Sequence, residues 1–374
     1  MGRLPGTPPA IPGFHFLAPL GTGGFADVHL YEQSMPRRKV AVKVLHGDTI
    51  SKETLATFTR EADAMAALST HPSILTIYQA SVSSDGRPYL VLEYCKESMG
   101  GRYRNEYLPV DEVVSVGIRV GAALETVHRS GMLHRDIKPS NLLINEYGRP
   151  LLSDFGIVGG RGEQAGENIA LSVPWSAPEV VAGESTGSIA TEVWSLGATL
   201  YALLAGRSPF EGLDGQSNTE EAVKKRIRKA KYTPTGRADV PQALEAVLAK
   251  SMAPKPEDRY RSVGQMVQDL RAIEAGSRWP VTEYQLAGGT GVLSFDDYAA
   301  DPQRMGLPVR SSVAVQSGRR RVSRDTQSAS MPSMANSRSS EASGLTKGQV
   351  WGIVAAAVSA TAGVAVALMM WMGG

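Results

Sequence analysis

The stretch HRDIKPSN, residues 134–141, places a carboxylate, an ammonium group and a carboxamide close together in the chain. Asp136 can accept a proton from an incoming hydroxyl, and Lys138 can neutralise negative charge on a group that is being transferred. Asn141 and the later Asp154 offer the hard oxygen ligands that Mg²⁺ prefers. Phosphoryl transfer depends mostly on positioning and charge stabilisation, so these side chains are suited to that reaction.

A glycine-rich turn, LGTGGFADV, lies between two predicted strands at residues 20–28. Glycines let the backbone approach a phosphate closely, and free N–H groups there can surround its oxygens. The turn is not a dinucleotide-binding fingerprint, because a strand rather than a helix follows it. A plain hairpin turn would explain the same residues.

Lys43 lies in the next predicted strand, VAVKV, among apolar neighbours that should bury part of it. A buried lysine needs an anionic partner, and Glu61 in the following helical run is the natural candidate. The alternatives are a lysine that extends to solvent along its own stem and a glutamate that is simply solvated.

The elements that position these groups fall into two regions. From Phe14 to Glu93 the pattern is rich in strands, with one helical run at residues 52–68. After Glu93 helices dominate, and the apolar run TEVWSLGATLYALLAG predicts a buried central helix. A small sheet lobe followed by a larger helical lobe should leave a cleft between them, where the chemistry would lie.

The composition narrows the class of protein. Apolar residues make up 42% of the 374 residues, which is typical of a globular core, and the net charge of +2 gives no sign of nucleic-acid binding. Cys95 is the only cysteine, so an intramolecular disulfide is excluded and a reducing compartment fits. Residues 1–12 lack the apolar core of a secretory signal and are interpreted as a flexible Pro/Gly arm.

The C-terminal quarter differs from the rest of the chain. Residues 276–348 are rich in Ser, Arg and Gly and poor in large apolar residues, which predicts a disordered juxtamembrane linker. Residues 349–371 carry no charge and are long enough to span a bilayer as one helix, with Trp351 and Trp371 at the two interfaces. Residues 372–374 form a short tail.

The charges before the predicted span indicate its orientation. Lys347 and the arginines that precede it favour a cytoplasmic N-terminal side, hence a single-pass protein of the cell membrane. An Ala-rich helix outside the membrane is the alternative. Gly352 and Gly363 would permit close pairing of two such helices, and therefore a homodimer.

The ordered set GTGGFADV, VAVK, Glu61, HRDIKPSN, DFG and APE resembles the eukaryotic-type, or Hanks-type, serine/threonine protein kinases. The resemblance covers residues 13–275, and the membrane-tethered layout resembles bacterial members. It implies an α+β, bilobal protein kinase fold with a β-rich N-lobe and a larger helical C-lobe. It also implies a non-specific serine/threonine kinase in membrane signalling, with ATP and protein substrates as partners and Mg²⁺, or Mn²⁺ in its place, as the metal.

The resemblance assigns roles by position. Asp136 would be the catalytic base, Lys138 would meet the γ-phosphate, and Lys43, paired with Glu61, would hold the α- and β-phosphates. Asn141 and Asp154 would bind the metal. The remaining residues would contact the nucleotide: Gly21, Thr22, Gly23 and Gly24 at the phosphates, Val28, Ala41 and Leu143 around adenine, and Glu93 and Cys95 through the connection between the lobes. Glu179 would pair with Arg259 as a structural salt bridge.

Three positions depart from the family pattern. Ala26 replaces the third glycine of the turn, and Ser172 stands where a threonine usually contacts the catalytic aspartate. Glu192 stands where the family has an aspartate that anchors the backbone of the catalytic turn. Ala26 and Glu192 leave a second function open, a pseudokinase scaffold that binds nucleotide without turnover.

Overall fold

The computed structural model describes most of the chain up to residue 286, over these ranges: residues 6–24, 26–46, 52–154, 172–213 and 215–286. Within them an antiparallel five-stranded sheet is followed by a mostly helical region. The α+β architecture expected from the sequence, a small β-rich lobe and a larger helical lobe, is therefore confirmed.

The first lobe is built on one twisted sheet. Its strand order is β1-β2-β3-β5-β4, and helix α1, Lys52–Leu68, lies between β3 and β4 in the chain. The strands are β1 Phe14–Thr22, β2 Ala26–Ser34, β3 Arg37–Leu45, β4 Ile77–Val82 and β5 Pro88–Glu93. Successive side chains of β3 point to opposite faces of the sheet. Val40, Val42 and Val44 join one apolar cluster, whereas Ala41 joins the main core on the other side.

The second lobe begins with a small sheet and continues with helices. The small sheet comprises β6 Glu97–Ser98, β7 Leu142–Ile144 and β8 Pro150–Leu152. The helices are α2 Met99–Arg102, α3 Val110–Arg129, α4 Pro178–Val181, α5 Ile189–Ala205, α6 Glu220–Lys229, α7 Gln242–Ser251 and α8 Val263–Gly276.

Helix α5 is the buried central helix that its sequence predicts. Ser188 and Thr191 form a reciprocal capping box at its start, and Gly206 ends it in the left-handed region at φ +67°. Helices of this lobe approach one another closely at two glycines. A Cβ at Gly197 of α5 would overlap Ser251 of α7, and a Cβ at Gly121 of α3 would overlap Val267 of α8. Larger residues at these two positions would force the helices apart.

The segment before β1 lies against the outer face of the sheet. Tyr31 donates a buried 2.7 Å hydrogen bond to the Pro9 carbonyl, and Gly6 N–H donates to Asp27 Oδ2 at 2.9 Å. Ile11 is only 5% exposed and packs into the cluster of Val40, Val42 and Val44. The described part of the arm that the sequence predicts to be flexible is therefore held in place, because its apolar residues cover an otherwise bare sheet face.

The chain remains packed after α8. Thr282 N–H donates to both carboxylate oxygens of the buried Glu274 at 3.0 Å, and His71 Nε2–H donates to the Gln285 carbonyl at 2.9 Å. Arg149 and Glu283 form an exposed ion pair at 3.5 Å. The packed chain thus continues through residue 286, past the linker start expected at residue 276. Residues 287–348 lie outside the described part, where the linker stays a prediction.

Candidate active site

The catalytic turn, residues 134–141, is shaped by buried hydrogen bonds. His134 is completely buried and its Nε2–H donates to the Ser153 carbonyl at 3.0 Å. Burial lowers the pKa of His134, so the ring is neutral at physiological pH. Arg135 adopts φ +69°, in the left-handed region that non-glycine residues rarely occupy. The turn ends in a 3₁₀ turn, Pro139–Asn141, that leads directly into β7.

Asp136 is surrounded by polar side chains on both carboxylate oxygens. Ser172 donates its hydroxyl proton to Oδ1 at 2.7 Å. Asn141 Nδ2 donates to Oδ2 and to the Asp136 carbonyl, both at 2.8 Å, and Lys138 Nζ lies 2.7 Å from Oδ2. Lys138 also donates to Ser172 Oγ at 2.9 Å. The carboxylate is therefore fixed in orientation beside a cation.

Lys43 bridges the two lobes through Asp154. Its Nζ lies 3.0 Å from Asp154 Oδ1, and the two side chains are 21% and 49% exposed. Removal from water alone would raise the pKa of Asp154, but the Lys43 ammonium outweighs it and holds that pKa below its usual value. Asp154 adopts φ +56°, and the preceding Ser153 is joined to Asn141 by a 2.9 Å backbone hydrogen bond. Asn141 and Asp154 are thereby linked.

Glu192 of α5 forms a hydrogen bond with the backbone of the catalytic turn. It is 2% exposed; its Oε1 accepts from Arg135 N–H at 2.6 Å and its Oε2 lies 2.5 Å from His128 Nε2. The glutamate thus reaches the backbone position that the family's aspartate would anchor. His128 was not singled out in the sequence. The sequence signal that could have identified it is its position in the last turn of α3, shortly before Gly131.

The residues expected to contact nucleotide belong to the first sheet, to the connection that follows it and to β7. Gly21 and Thr22 end β1, and Gly23 and Gly24 follow them towards β2, where Gly23 N–H donates to the Ala26 carbonyl at 2.8 Å. Glu93 is the last residue of β5, and Cys95 lies in the connection between the two sheets. Three apolar side chains are buried or pack against the main core on the cleft side: Val28, Ala41 and Leu143. The nucleotide contacts of all these residues stay predictions.

Several predicted features fall outside the described residues. The Glu61 side chain is one of them, so its pairing with Lys43 stays a prediction, and the segment 155–171 that follows Asp154 is another. In the described part, no cluster of three or more His, Cys, Asp or Glu side chains could hold a metal ion. The expected Mg²⁺ ligands are instead one carboxylate and one carboxamide.

The predicted structural salt bridge is confirmed. Arg259 donates two parallel hydrogen bonds to Glu179, with Nη1 to Oε1 at 2.7 Å and Nη2 to Oε2 at 2.9 Å. The arginine side chain is fully buried, and its remaining donors reach the carbonyls of Ala190, Ala253 and Pro254. This network fixes α4, directly after the Val173–Trp175 turn, to the helices behind it.

None of the described helices is both long and apolar enough to cross a bilayer. The span predicted at residues 349–371 lies beyond the described ranges.

Comparison with known proteins gives one family model and several relatives. The model described as protein kinase domain matches residues 14–270. Serine/threonine-protein kinase PknK of Mycobacterium bovis is 36% identical over 284 residues, which is 75% of this chain and 25% of the relative. Serine/threonine-protein kinase PknB of Mycobacterium leprae is 31% identical, covering 69% of this chain and 42% of the relative.

A third relative comes from another bacterial group. Serine/threonine-protein kinase PrkC of Bacillus subtilis is 30% identical over 271 residues, which is 69% of this chain and 40% of the relative. The matched region thus spans between a quarter and about two fifths of the length of these curated relatives.

Proposed function

The chain belongs to the protein kinase family, and from that premise we propose that it transfers the γ-phosphoryl group of ATP to serine and threonine hydroxyls of proteins. The observation that carries the proposal is the environment of Asp136. A carboxylate held by Ser172, Asn141 and Lys138 is oriented to accept a proton and lies beside a cation that can meet transferred charge.

Asp136 would act as the base for the acceptor hydroxyl. Ser172 and Asn141 restrict rotation of its carboxylate, so the acceptor oxygen would meet a fixed partner. Lys138, which contacts both Asp136 and Ser172, would stabilise negative charge on the γ-phosphoryl group. Lys43 would neutralise the α- and β-phosphates from the opposite lobe.

The donor set fits Mg²⁺. Asn141 directs its Nδ2 to Asp136, so the amide oxygen is the side-chain atom with the character of a ligand, and Asp154 contributes a carboxylate kept ionised by Lys43. When bound there, Mg²⁺ or Mn²⁺ would neutralise phosphate charge. Ser153, hydrogen-bonded to the Asn141 carbonyl, holds the two candidate ligands in register.

A pseudokinase scaffold is the competing function, favoured by the departures at Ala26 and Glu192. The short hydrogen bond from Arg135 N–H to Glu192 weighs against it, because the anchoring contact is made despite the longer side chain. Ala26 leaves Gly21, Gly23 and Gly24 in the turn, so close approach of phosphate is retained.

The two functions separate in one assay. The full chain, purified in detergent, is incubated with γ-labelled ATP, Mg²⁺ and a generic basic protein, and phosphoserine and phosphothreonine are identified after hydrolysis. Label on both residues, absent with Asp136→Asn, is the expected result. Nucleotide binding without any transfer would establish the scaffold instead.

We further propose that the chain is a single-pass protein of the cell membrane with its kinase domain in the cytoplasm, where it would serve signalling. The uncharged residues 349–371, preceded by Lys347 and several arginines, support this. Full-length protein should sediment with membranes, and a chain that ends at residue 348 should not. Recovery of the full-length chain in the soluble fraction, without detergent, would refute the predicted transmembrane span.

Pairing of this helix through Gly352 and Gly363 would give a homodimer. Replacement of both glycines by isoleucine should then abolish crosslinked dimers in detergent micelles. Equal crosslinking in the variant and the parent would contradict that interface.

A further inference from the structure

A strap formed by residues 6–12 crosses the outer face of the five-stranded sheet, the face opposite the cleft. It is held by polar contacts along its length. Gly6 N–H donates to Asp27 Oδ2 at 2.9 Å, Arg87 Nη2 donates to the Thr7 carbonyl at 2.9 Å, and Tyr31 donates to the Pro9 carbonyl at 2.7 Å. Ile11 anchors the end of the strap in the apolar cluster beneath it.

Asp27 joins the strap to the beginning of β2. It is 3% exposed, and its Oδ1 lies 3.2 Å from Nε2 of the equally buried His46, directly after β3. Burial alone would raise the pKa of Asp27, but the Gly6 N–H and His46 outweigh it and hold that pKa low. A buried carboxylate is costly unless it is partnered, so the Gly6 N–H of the strap stabilises Asp27 in its buried position.

The anchor lies directly beside the glycine-rich turn. Asp27 pairs across the sheet with Thr22, and the adjacent Ala26 carbonyl accepts the Gly23 N–H at 2.8 Å. That hydrogen bond closes the turn in which Gly21, Thr22, Gly23 and Gly24 would receive the phosphates of ATP. Asp27, which binds the strap, is thus the residue directly after the one whose carbonyl closes the turn.

We propose that Asp27 is a positioning residue which, by tying the strap over the start of β2, holds the glycine-rich turn in the form that accepts nucleotide phosphates. The phosphate role of the turn rests on the proposed function. A turn fixed in advance loses less conformational entropy when phosphate binds, so the tie should favour phosphate affinity without touching the ligand. It should contribute nothing to adenosine, which has no phosphate for the turn to bind.

Direct binding to the full-length protein tests the proposal. Equilibrium dissociation constants are measured for ATP with Mg²⁺ and for adenosine, in the parent chain and in Asp27→Ala. We expect the constant for ATP to rise about 5-fold, the lower end of ordinary coupling between sites, and that for adenosine to stay unchanged. In turnover assays the KM for ATP should rise while kcat stays within about 2-fold, since the reacting groups are untouched.

Tyr31→Phe is the matched control. It removes a strap contact of the same kind, the buried hydrogen bond to Pro9, but acts farther along β2, away from the turn. It should leave both dissociation constants unchanged. If the dissociation constant for ATP rises equally in Tyr31→Phe and Asp27→Ala, the special role of Asp27 is refuted. If the constants for ATP and adenosine rise equally in Asp27→Ala, the link to phosphate is refuted.

Amide hydrogen exchange separates this inference from the proposed function. In the nucleotide-free protein, residues 20–26 should exchange faster in Asp27→Ala than in Tyr31→Phe, whether or not the enzyme turns over. If Asp27→Ala does not fold, Asp27→Asn takes its place. This variant retains an oxygen for Gly6 N–H but loses the charge facing His46, so exchange at residues 20–26 should be faster than in the parent by a smaller factor. Unchanged exchange at residues 20–26 in the folded variant would refute the proposal.

Discussion

The carboxylate of Glu192 accepts a 2.6 Å hydrogen bond from the backbone N–H of Arg135, although the corresponding family residue is an aspartate. The extra methylene does not break the anchor. The longer side chain also brings Oε2 to His128 on α3, so one glutamate ties two elements to the catalytic turn. Arg135 needs such support, because its φ of +69° costs of order 1–3 kcal/mol for a non-glycine residue.

Glu192→Ala should leave the Arg135 N–H and His128 buried without this partner. We expect it to lower the free energy of unfolding by about 3 kcal/mol and kcat by at least about 10-fold, because the catalytic turn loses its anchor. Urea unfolding and steady-state kinetics measure both effects. Glu192→Asp, the matched variant, should be intermediate, since its shorter side chain cannot reach both partners. Parental stability in Glu192→Ala would contradict this assignment.

Asp136→Asn should abolish most of the turnover without unfolding the protein. The amide retains an oxygen for hydrogen bonding but cannot accept a proton, so kcat should fall by about 10²- to 10⁴-fold. The dissociation constant for ATP, measured by equilibrium binding, should change little. Glu146→Gln is the control: it removes an exposed negative charge in the β7–β8 turn and should have the kcat of the parent. Near-parental kcat in Asp136→Asn would exclude Asp136 as the base.

Asp154→Asn should raise the Mg²⁺ requirement. The substitution removes the negative charge that pairs with Lys43 and would attract the metal, so half-maximal activity should need about 10-fold more Mg²⁺. A Mg²⁺ titration at fixed ATP measures the shift, and Mn²⁺ should partly restore the rate. A parental Mg²⁺ profile would remove Asp154 from the metal site.

Asp239 should stabilise the fold in a pH-dependent way. Hydrogen bonds from Arg237, and then from Tyr107, lower its pKa from 3.8 to about 2. Because the folded pKa is below the unfolded one, the stabilisation is fully present above about pH 4 and is lost as the pH falls towards 2. The difference in urea midpoint between the parent and Asp239→Asn should therefore shrink between pH 5 and pH 2.5. A constant difference would show that the ionised carboxylate does not contribute.

Cys95 should react slowly for a cysteine. Burial, and then the charge of Glu93, raise the pKa of its thiol to about 12, so the reactive thiolate is scarce at pH 7.5. Alkylation by iodoacetamide, followed by mass spectrometry, should be slow in the folded protein and fast in urea. Equal rates in both conditions would contradict the burial of this thiol.

Residues with strong local constraints were predictable, and residues that meet only through tertiary packing were not. The Glu179–Arg259 bridge and the contact of Ser172 with Asp136 follow from short motifs that the family pattern identifies. By contrast, no motif or pattern in the sequence marks Asp27. Its burial depends on which face of the sheet remains uncovered, and a pattern of apolar residues does not say that Gly6 will lie there. The packing of Thr282 on Glu274 was missed for the same reason.

The path of the chain after α8 has a mechanical consequence. The bonds of Gln285 to His71, Glu283 to Arg149 and Thr282 to Glu274 follow one another along the segment, so a pull applied at residue 286 loads them in series. The first to carry the load, at His71, is in the loop that joins α1 to β4. Tension on the following chain would thus enter the domain beside the helix that carries Glu61, and the segment would peel away one contact at a time.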